Sequence, residues 1–164
     1  MFISRLACLA IAALTLLSAC GAPEAPAGSV PRLTAADVAP IRLRHLDGVN
    51  AARAAEGLPA LQLSAELNAA AETHARDMSV QKRAWHFGSD LTSWRERGFR
   101  AGYRGEVLGE NLFEGADGDL TVLRYWLEVP DTRRIIMNPA GRGLGLAWHQ
   151  DPGGKLWWVQ LIGD

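Results

Sequence analysis

The segment GENLFEG (109–115) sets a carboxylate, Glu110, and an amide, Asn111, behind one glycine and ahead of an apolar step, Leu112 and Phe113. A carboxylate among apolar residues requires a donor, because a charge taken out of water without a partner is costly. The histidines are His45, His74, His86 and His149, and imidazole is the side chain that changes charge near neutral pH. An acid and an imidazole together do general acid–base work, hold a ligand by hydrogen bonds, or ligate a metal. Nucleophilic chemistry has less support: the sequence holds no G-x-S-x-G, no H-E-x-x-H and no phosphate loop. Ser79, Ser89 and Ser93 have no triad context.

These residues need a domain to position them, and 164 residues suffice for one domain with its own core. Hydrophobic content of 48% and charged content of 21% are ordinary for a globular protein. A net charge of −1 argues against a nucleic-acid partner, since such binders are usually basic. Residues 1–19 predict a signal peptide: one positive charge, Arg5, then an apolar run from Leu6 to Leu17 with small residues after it. The run is too short for a lasting membrane helix. LSAC (17–20) resembles the lipobox of bacterial lipoproteins, which implies lipid on Cys20 and export to a membrane surface. Gly21 follows it, which fits the outer membrane if the host is Gram-negative. The two cysteines are Cys8 and Cys20, so the processed domain has no disulfide partner and no cysteine metal site. Residues 20–33, rich in Ala, Pro and Gly, read as a tether, which leaves 34–164 as the domain.

Within the domain, TAAD (34–37) resembles a capping box, and a first helix is expected at about 38–56 with Leu43, Leu46, Val49 and Arg53 at helical spacing. Ser64 caps a second helix reaching about Lys82, with Leu67, Ala71, His74 and Met78 on one face. A weaker helical stretch covers 91–103, and EVLGENLFE reads as a short strand. Asp119 is the expected cap of a third clear helix with Leu120, Leu123, Trp126 and Leu127 on one face, ended by Pro130; one or two more turns follow. The tail reads as a hairpin around DPGG, with Trp157 and Trp158 facing opposite sides.

Taken in order, VNAARAAEGLPAL, AETHARDM, WHFG, GENLFEG, RYWLEVPDTRRIIMNP, GLGLAW and WWVQLIG resemble the CAP superfamily, the cysteine-rich secretory, antigen and pathogenesis-related proteins, in its bacterial SCP-like form. The match covers about residues 41–163. The resemblance implies an α+β fold, an α-β-α sandwich with helices flanking a small, mostly antiparallel sheet. It also implies a cleft with two histidines and two glutamates, where some members bind a divalent metal. By position, His86 matches the first histidine and Glu110 the first glutamate, which makes His86 the expected partner of Glu110. Glu128 lies nearest the second glutamate. The second histidine usually stands in S-P-G-H-R; here the stretch is VPDTRR, and Thr132 takes its place. With half the histidine pair missing, no cofactor is expected; His86 and Glu110 would be the ligands of any metal. Asn111 is expected to tie its loop by hydrogen bonds to backbone.

The remaining polar residues read more plainly. His74 sits on an apolar stripe and is expected in the core, whereas His45 and His149 have no motif and are expected at the surface. Residues 82–104 carry six basic and two acidic side chains, and 105–131 seven acidic and one basic, which read as faces that partly neutralise each other. Arg133 and Arg134 are expected to pair with the acidic block. The function that follows is an envelope-anchored, non-catalytic binding module that holds a lipid, glycan or protein in the cleft. The alternative is a hydrolase of peptides or envelope polymers, with His86 as base and Glu110 or Glu128 as acid.

Overall fold

The computed structural model describes residues 31–115 and 117–164; the expected signal peptide, Cys20 and most of the expected tether lie outside the described residues. The elements follow as α1 (Ala35–Ala55), β1 (Gln62–Leu63), α2 (Ala65–Gln81), α3 (Trp94–Arg100), β2 (Val107–Gly115), α4 (Asp119–Glu128), α5 (Pro130–Ile136), β3 (Gly143–Gln150) and β4 (Leu156–Gly163). The sheet order is β1-β3-β4-β2, with β1 parallel to β3 and the other pairs antiparallel. This is the expected α+β sandwich.

Alternation along β4 builds two cores. Leu156, Trp158 and Ile162 join α1, α4 and α5 through Val49, Trp126 and Ile136. Trp157, Val159 and Leu161 join α2 through Leu67, Ala71 and Met78. Strand neighbours face opposite sides, so Trp157 and Trp158 fill different layers, and both are 0% exposed. Truncating either indole to alanine in such a core costs about 3–5 kcal/mol. At Gly145 a Cβ would stand 2.4 Å from the Leu67 backbone, so the absence of a side chain there lets α2 lie against β3.

Local chemistry sets the helix starts. The Thr34–Asp37 capping box starts α1 at Ala35, three residues before the expected 38, and Pro40 then falls inside the helix. Ser64 caps α2 by accepting from Leu67 N–H at 3.2 Å, and the helix ends at Lys82 in the left-handed region, φ 53°. Only Trp94–Arg100 of the 91–103 stretch is helical, because a Ser93–Glu96 capping box fixes its start. Gly118, not Asp119, is the N-cap of α4; the Asp119 carboxylate instead accepts from Arg44 Nε at 3.1 Å. Pro130 both closes α4 and opens α5 at its first turn, where its missing N–H costs nothing.

Two helix faces differ from expectation. On α1 the buried residues are Ile41, His45, Val49 and Arg53, whereas Leu43 is 54% exposed. On α4 they include Val122, Leu123 and Trp126, and Leu120 points outward. Arg53 is buried because its guanidinium donates to the carbonyls of Pro59, Ile136 and Asn138 at 2.6–2.9 Å, which ties α1 to the end of α5. The last residues of the expected tether dock on the domain: Leu33 N–H donates to Gln150 Oε1 at 2.9 Å, and Gln150 Nε2 donates to Pro31 O at 3.1 Å.

Candidate ligand-binding cleft

Glu110 and Asn111 are consecutive on β2, at the edge of the sheet, so their side chains enter different layers. The Glu110 carboxylate is wholly buried and has two donors. His86 Nδ1–H donates to Oε1 at 2.9 Å, and Arg97 Nη2 donates to Oε2 at 2.6 Å. His74 Nε2 lies 3.8 Å from Oε1 and donates to the Trp85 carbonyl at 2.9 Å. Burial pulls the His74 pKa below the ordinary histidine value, against the opposing pull of the Glu110 charge. His86 is held differently from His74: its side chain is 50% exposed, and its ring stands edge-on to Trp94, centroids 5.5 Å apart. With Nδ1–H committed to Glu110, the Nε2 edge of His86 is the part left for other groups.

Sequence reasoning assigned Glu110 one partner and missed Arg97. That guanidinium also donates to the carbonyls of Thr92 at 2.6 Å and His86 at 3.2 Å, so it pins the loop that carries His86. The one local cue to it is the Ser93–Glu96 box. That box fixes the start of α3 and turns Trp94 and Arg97, three residues apart, toward the domain.

Asn111 faces the other layer and is 0% exposed. Its Nδ2 donates to Thr132 O at 3.1 Å and to Gln160 Oε1 at 2.9 Å. Gln160, its cross-strand neighbour, passes the chain on: Gln160 Nε2 donates to His45 Nε2 at 2.8 Å. His45 is therefore not a surface residue. It shares the inward face of α1 with Ile41 and Val49, packs edge-on to Trp126 at 5.9 Å, and burial lowers its pKa to about 4. His149 is half-buried on β3, with Nε2 3.8 Å from Asp151.

A cavity of about 420 Å³ runs along β2, lined by His86, Glu110, Asn111 and Thr132 together with Phe113, Tyr125 and Ile135. Phe113 and Tyr125 form a T-shaped pair at 5.4 Å on its rim. Thr132 is present, but its hydroxyl donates to the Trp126 carbonyl at 2.7 Å, with the Val129 carbonyl 3.1 Å away. Glu128 is exposed and does not line the cavity. It lies two residues past the buried Trp126, about 200° round the helix, so Tyr125 rather than Glu128 represents α4 in the cleft. Glu114 and Asp131 from the acidic block also line the cavity, paired with Lys155 and Arg134 respectively. Arg133 reaches Glu56, the C-cap residue of α1 and outside that block, at 2.8 Å. The two charge blocks meet in the Arg95–Glu106 and Arg97–Glu110 pairs.

The donor set differs from the two-histidine metal site that the resemblance implies. One imidazole has its Nδ1–H on Glu110, the carboxylate is shared with an arginine, and the Thr132 hydroxyl is committed to carbonyls. Among the described residues no three His, Cys, Asp or Glu groups come together as a metal cage.

An α-β-α sandwich with a His–Glu pair at the edge of its sheet defines the class, and the comparisons agree with it. The model of the CAP, cysteine-rich secretory protein family, matches residues 46–162, and the chain belongs to that family. It is 27% identical over 118 residues to the uncharacterized protein YkwD of Bacillus subtilis (strain 168), a match of 70% of this chain but only 44% of that protein. Among solved structures, the SCP-domain extracellular protein of Bacillus anthracis str. Ames superposes with TM-score 0.70 at 20% identity, covering 81% of this chain and 44% of that one. An outer surface protein of Borrelia burgdorferi superposes with TM-score 0.68 at 17% identity, covering 75% of this chain and 90% of that one.

Proposed function

We propose that this chain is an envelope-anchored, non-catalytic binding module whose ligand sits against His86 in the β2 cleft. One observation carries the reading: both oxygens of the buried Glu110 carboxylate already accept hydrogen bonds from the protein, one from His86 and one from Arg97. Glu110 therefore supports the imidazole and offers no free acid to a substrate. Glu128 stands outside the cavity. What the cleft presents is one imidazole edge and the Phe113–Tyr125 rim, which suit a lipid, glycan or protein segment with one polar group beside an apolar surface. No resident metal belongs to this reading, since zinc takes three or four protein ligands and Thr132 is a poor substitute for a histidine.

Anchoring through lipid on Cys20 belongs to the same proposal. No helix among the described residues is long and apolar enough to cross a membrane. The solved neighbours are described as an outer surface protein and an extracellular protein, which supports export.

One feature favours a hydrolase as the second reading: a carboxylate on Nδ1 with Nε2 free is how a general base is oriented. It would need water as nucleophile and an acid from elsewhere. The test uses the full chain in detergent, incubated with casein, peptidoglycan and lipid pools, with and without zinc. Saturable retention of one class, lost in His86→Ala and without turnover, is expected. Cleavage that His86→Ala abolishes would overturn the binding reading.

A further inference from the structure

A second polar cavity, about 380 Å³, lies away from the cleft, where the N-terminal segment, α1, α2 and β3 meet. Arg32, Arg42 and Arg76 line it from three different elements, and Glu72 is the one acidic residue among its lining. Arg76 is partly satisfied, since it pairs with Glu72. Arg42 is half-buried. Its Nε donates to the Leu146 carbonyl at 2.8 Å, and among the described residues that is its one hydrogen bond. A guanidinium has five N–H donors, and holding one partly out of water without a contacting carboxylate is costly. Burial lowers the Arg42 pKa, and Glu72 only partly opposes this. The indole of Trp148, packed on Trp158 at 5.1 Å, gives the cavity a firm wall.

We propose that this cavity binds a phosphate group. Three cationic side chains arriving from three elements suit a tetrahedral oxyanion with several peripheral oxygens, whereas one guanidinium fork already satisfies a planar carboxylate. Three arginines against one glutamate also leave positive charge for an anionic phosphoryl group, either the dianion of a phosphate monoester or the monoanion of a lipid phosphodiester. The cavity adjoins the place where Pro31 and Leu33 dock on Gln150. A lipid phosphate would thus be gripped where the chain enters the domain, and a soluble phosphate ester would meet the same donors. The site is independent of the His86 cleft.

Titration calorimetry on the full chain with inorganic phosphate and with glycerol phosphate, against chloride and acetate, tests the proposal. Saturable phosphate binding is expected, weakened about tenfold by Arg42→Gln through loss of a charge-assisted contact, and unchanged by His86→Ala. Arg32→Gln, at an exposed position, weakens it as well and gives the reading if Arg42→Gln does not fold. Flotation of the Cys20→Ser chain with phosphatidylglycerol and phosphatidylcholine vesicles separates the sources. Preference for phosphatidylglycerol that Arg42→Gln removes assigns a lipid headgroup, while phosphate binding without vesicle preference assigns a soluble ester. Absence of saturable phosphate binding, equal binding of acetate, or binding that both arginine variants leave unchanged overturns it.

Discussion

Replacing Arg97 by methionine separates the two partners of Glu110. The arginine side chain is 5% exposed and the carboxylate 0%, so removing Arg97 leaves a buried charge with one donor in place of two. It also leaves the Thr92 carbonyl without its 2.6 Å partner and releases one tie on the His86 loop. Breaking a buried pair from one side typically costs about 3–5 kcal/mol, which for a domain of this size lowers the melting temperature by roughly 10 °C. His86→Ala removes the other donor, but that side chain is half exposed. Arg97 stays and water reaches the vacated space, so about 1 kcal/mol is expected. The double change Arg97→Met with Glu110→Gln removes both charges and should recover part of the loss. Urea unfolding followed by tryptophan fluorescence measures all three; the slope of free energy against denaturant must stay constant for the comparison to hold. An Arg97→Met loss no larger than that of His86→Ala would show that the imidazole, not the guanidinium, carries the carboxylate.

Three further outcomes are expected. Cys20→Ser should move the protein from the membrane fraction to the soluble fraction; a wild-type chain found soluble after export, with an N-terminus other than Cys20, counts against lipidation. Thr132→His should strengthen zinc binding by adding a second imidazole to the cleft, whereas tight stoichiometric zinc in the wild type by calorimetry would contradict the metal-free reading. His45, neutral in the fold with its pKa lowered from 6.5 to about 4, binds its proton more readily when the chain unfolds. Its contribution to stability is therefore complete above pH 6.5 and falls away as the pH drops to about 4. His45→Gln, which keeps an acceptor for Gln160, should flatten the urea midpoint across that window, and an unchanged slope would refute the cause.

What the sequence makes legible depends on how local the deciding interaction is. The second helix is readable because Ser64 caps it and Leu67, Ala71, His74 and Met78 share a face, and all four are buried. The first helix is readable as a helix but only partly by its face, since Val49 and Arg53 of the expected stripe are buried. Leu43, apolar by type, is exposed, while His45 and Arg53 are 0% exposed. The partners that permit their burial, Gln160 and carbonyls near the end of α5, lie 83 to 115 residues away, so spacing puts Arg53 on the stripe but shows no partner for it or for His45. The His86–Glu110 pair is visible only through the family's order of motifs, since a separation of 24 residues by itself fixes nothing. Arg97 stays hidden because six basic side chains crowd 82–104, and only the fold decides which one meets a carboxylate. Glu128, in contrast, could have been placed: once Trp126 is taken as inward, helical geometry turns a residue two positions later away.

The pairing of an acid with an amide at 110–111 follows from the place of β2 between two helical layers. On a strand, consecutive side chains serve opposite faces, and here each face ends in a polar network. Glu110 gathers His86, Arg97 and, more distantly, His74 from α2, α3 and the loop between them. Asn111 gathers Thr132 from α5 and, through Gln160, His45 from α1. Gly109, just before them, allows α5 to close over the strand, because a Cβ there would stand 2.8 Å from Ile135. The walls of the cleft are thus referred to two adjacent residues of one strand: the imidazole wall through Glu110, the Thr132 wall through Asn111. The networks are only partly paired, since among the described residues the buried Asn111 Oδ1 and Arg97 Nε have no hydrogen-bond partner, so it is the individual bonds that are made which tie each wall to β2. The position of His86 relative to the α5 side is thus tied to β2 through Glu110 and to its own loop through Arg97, which donates to the His86 carbonyl at 3.2 Å.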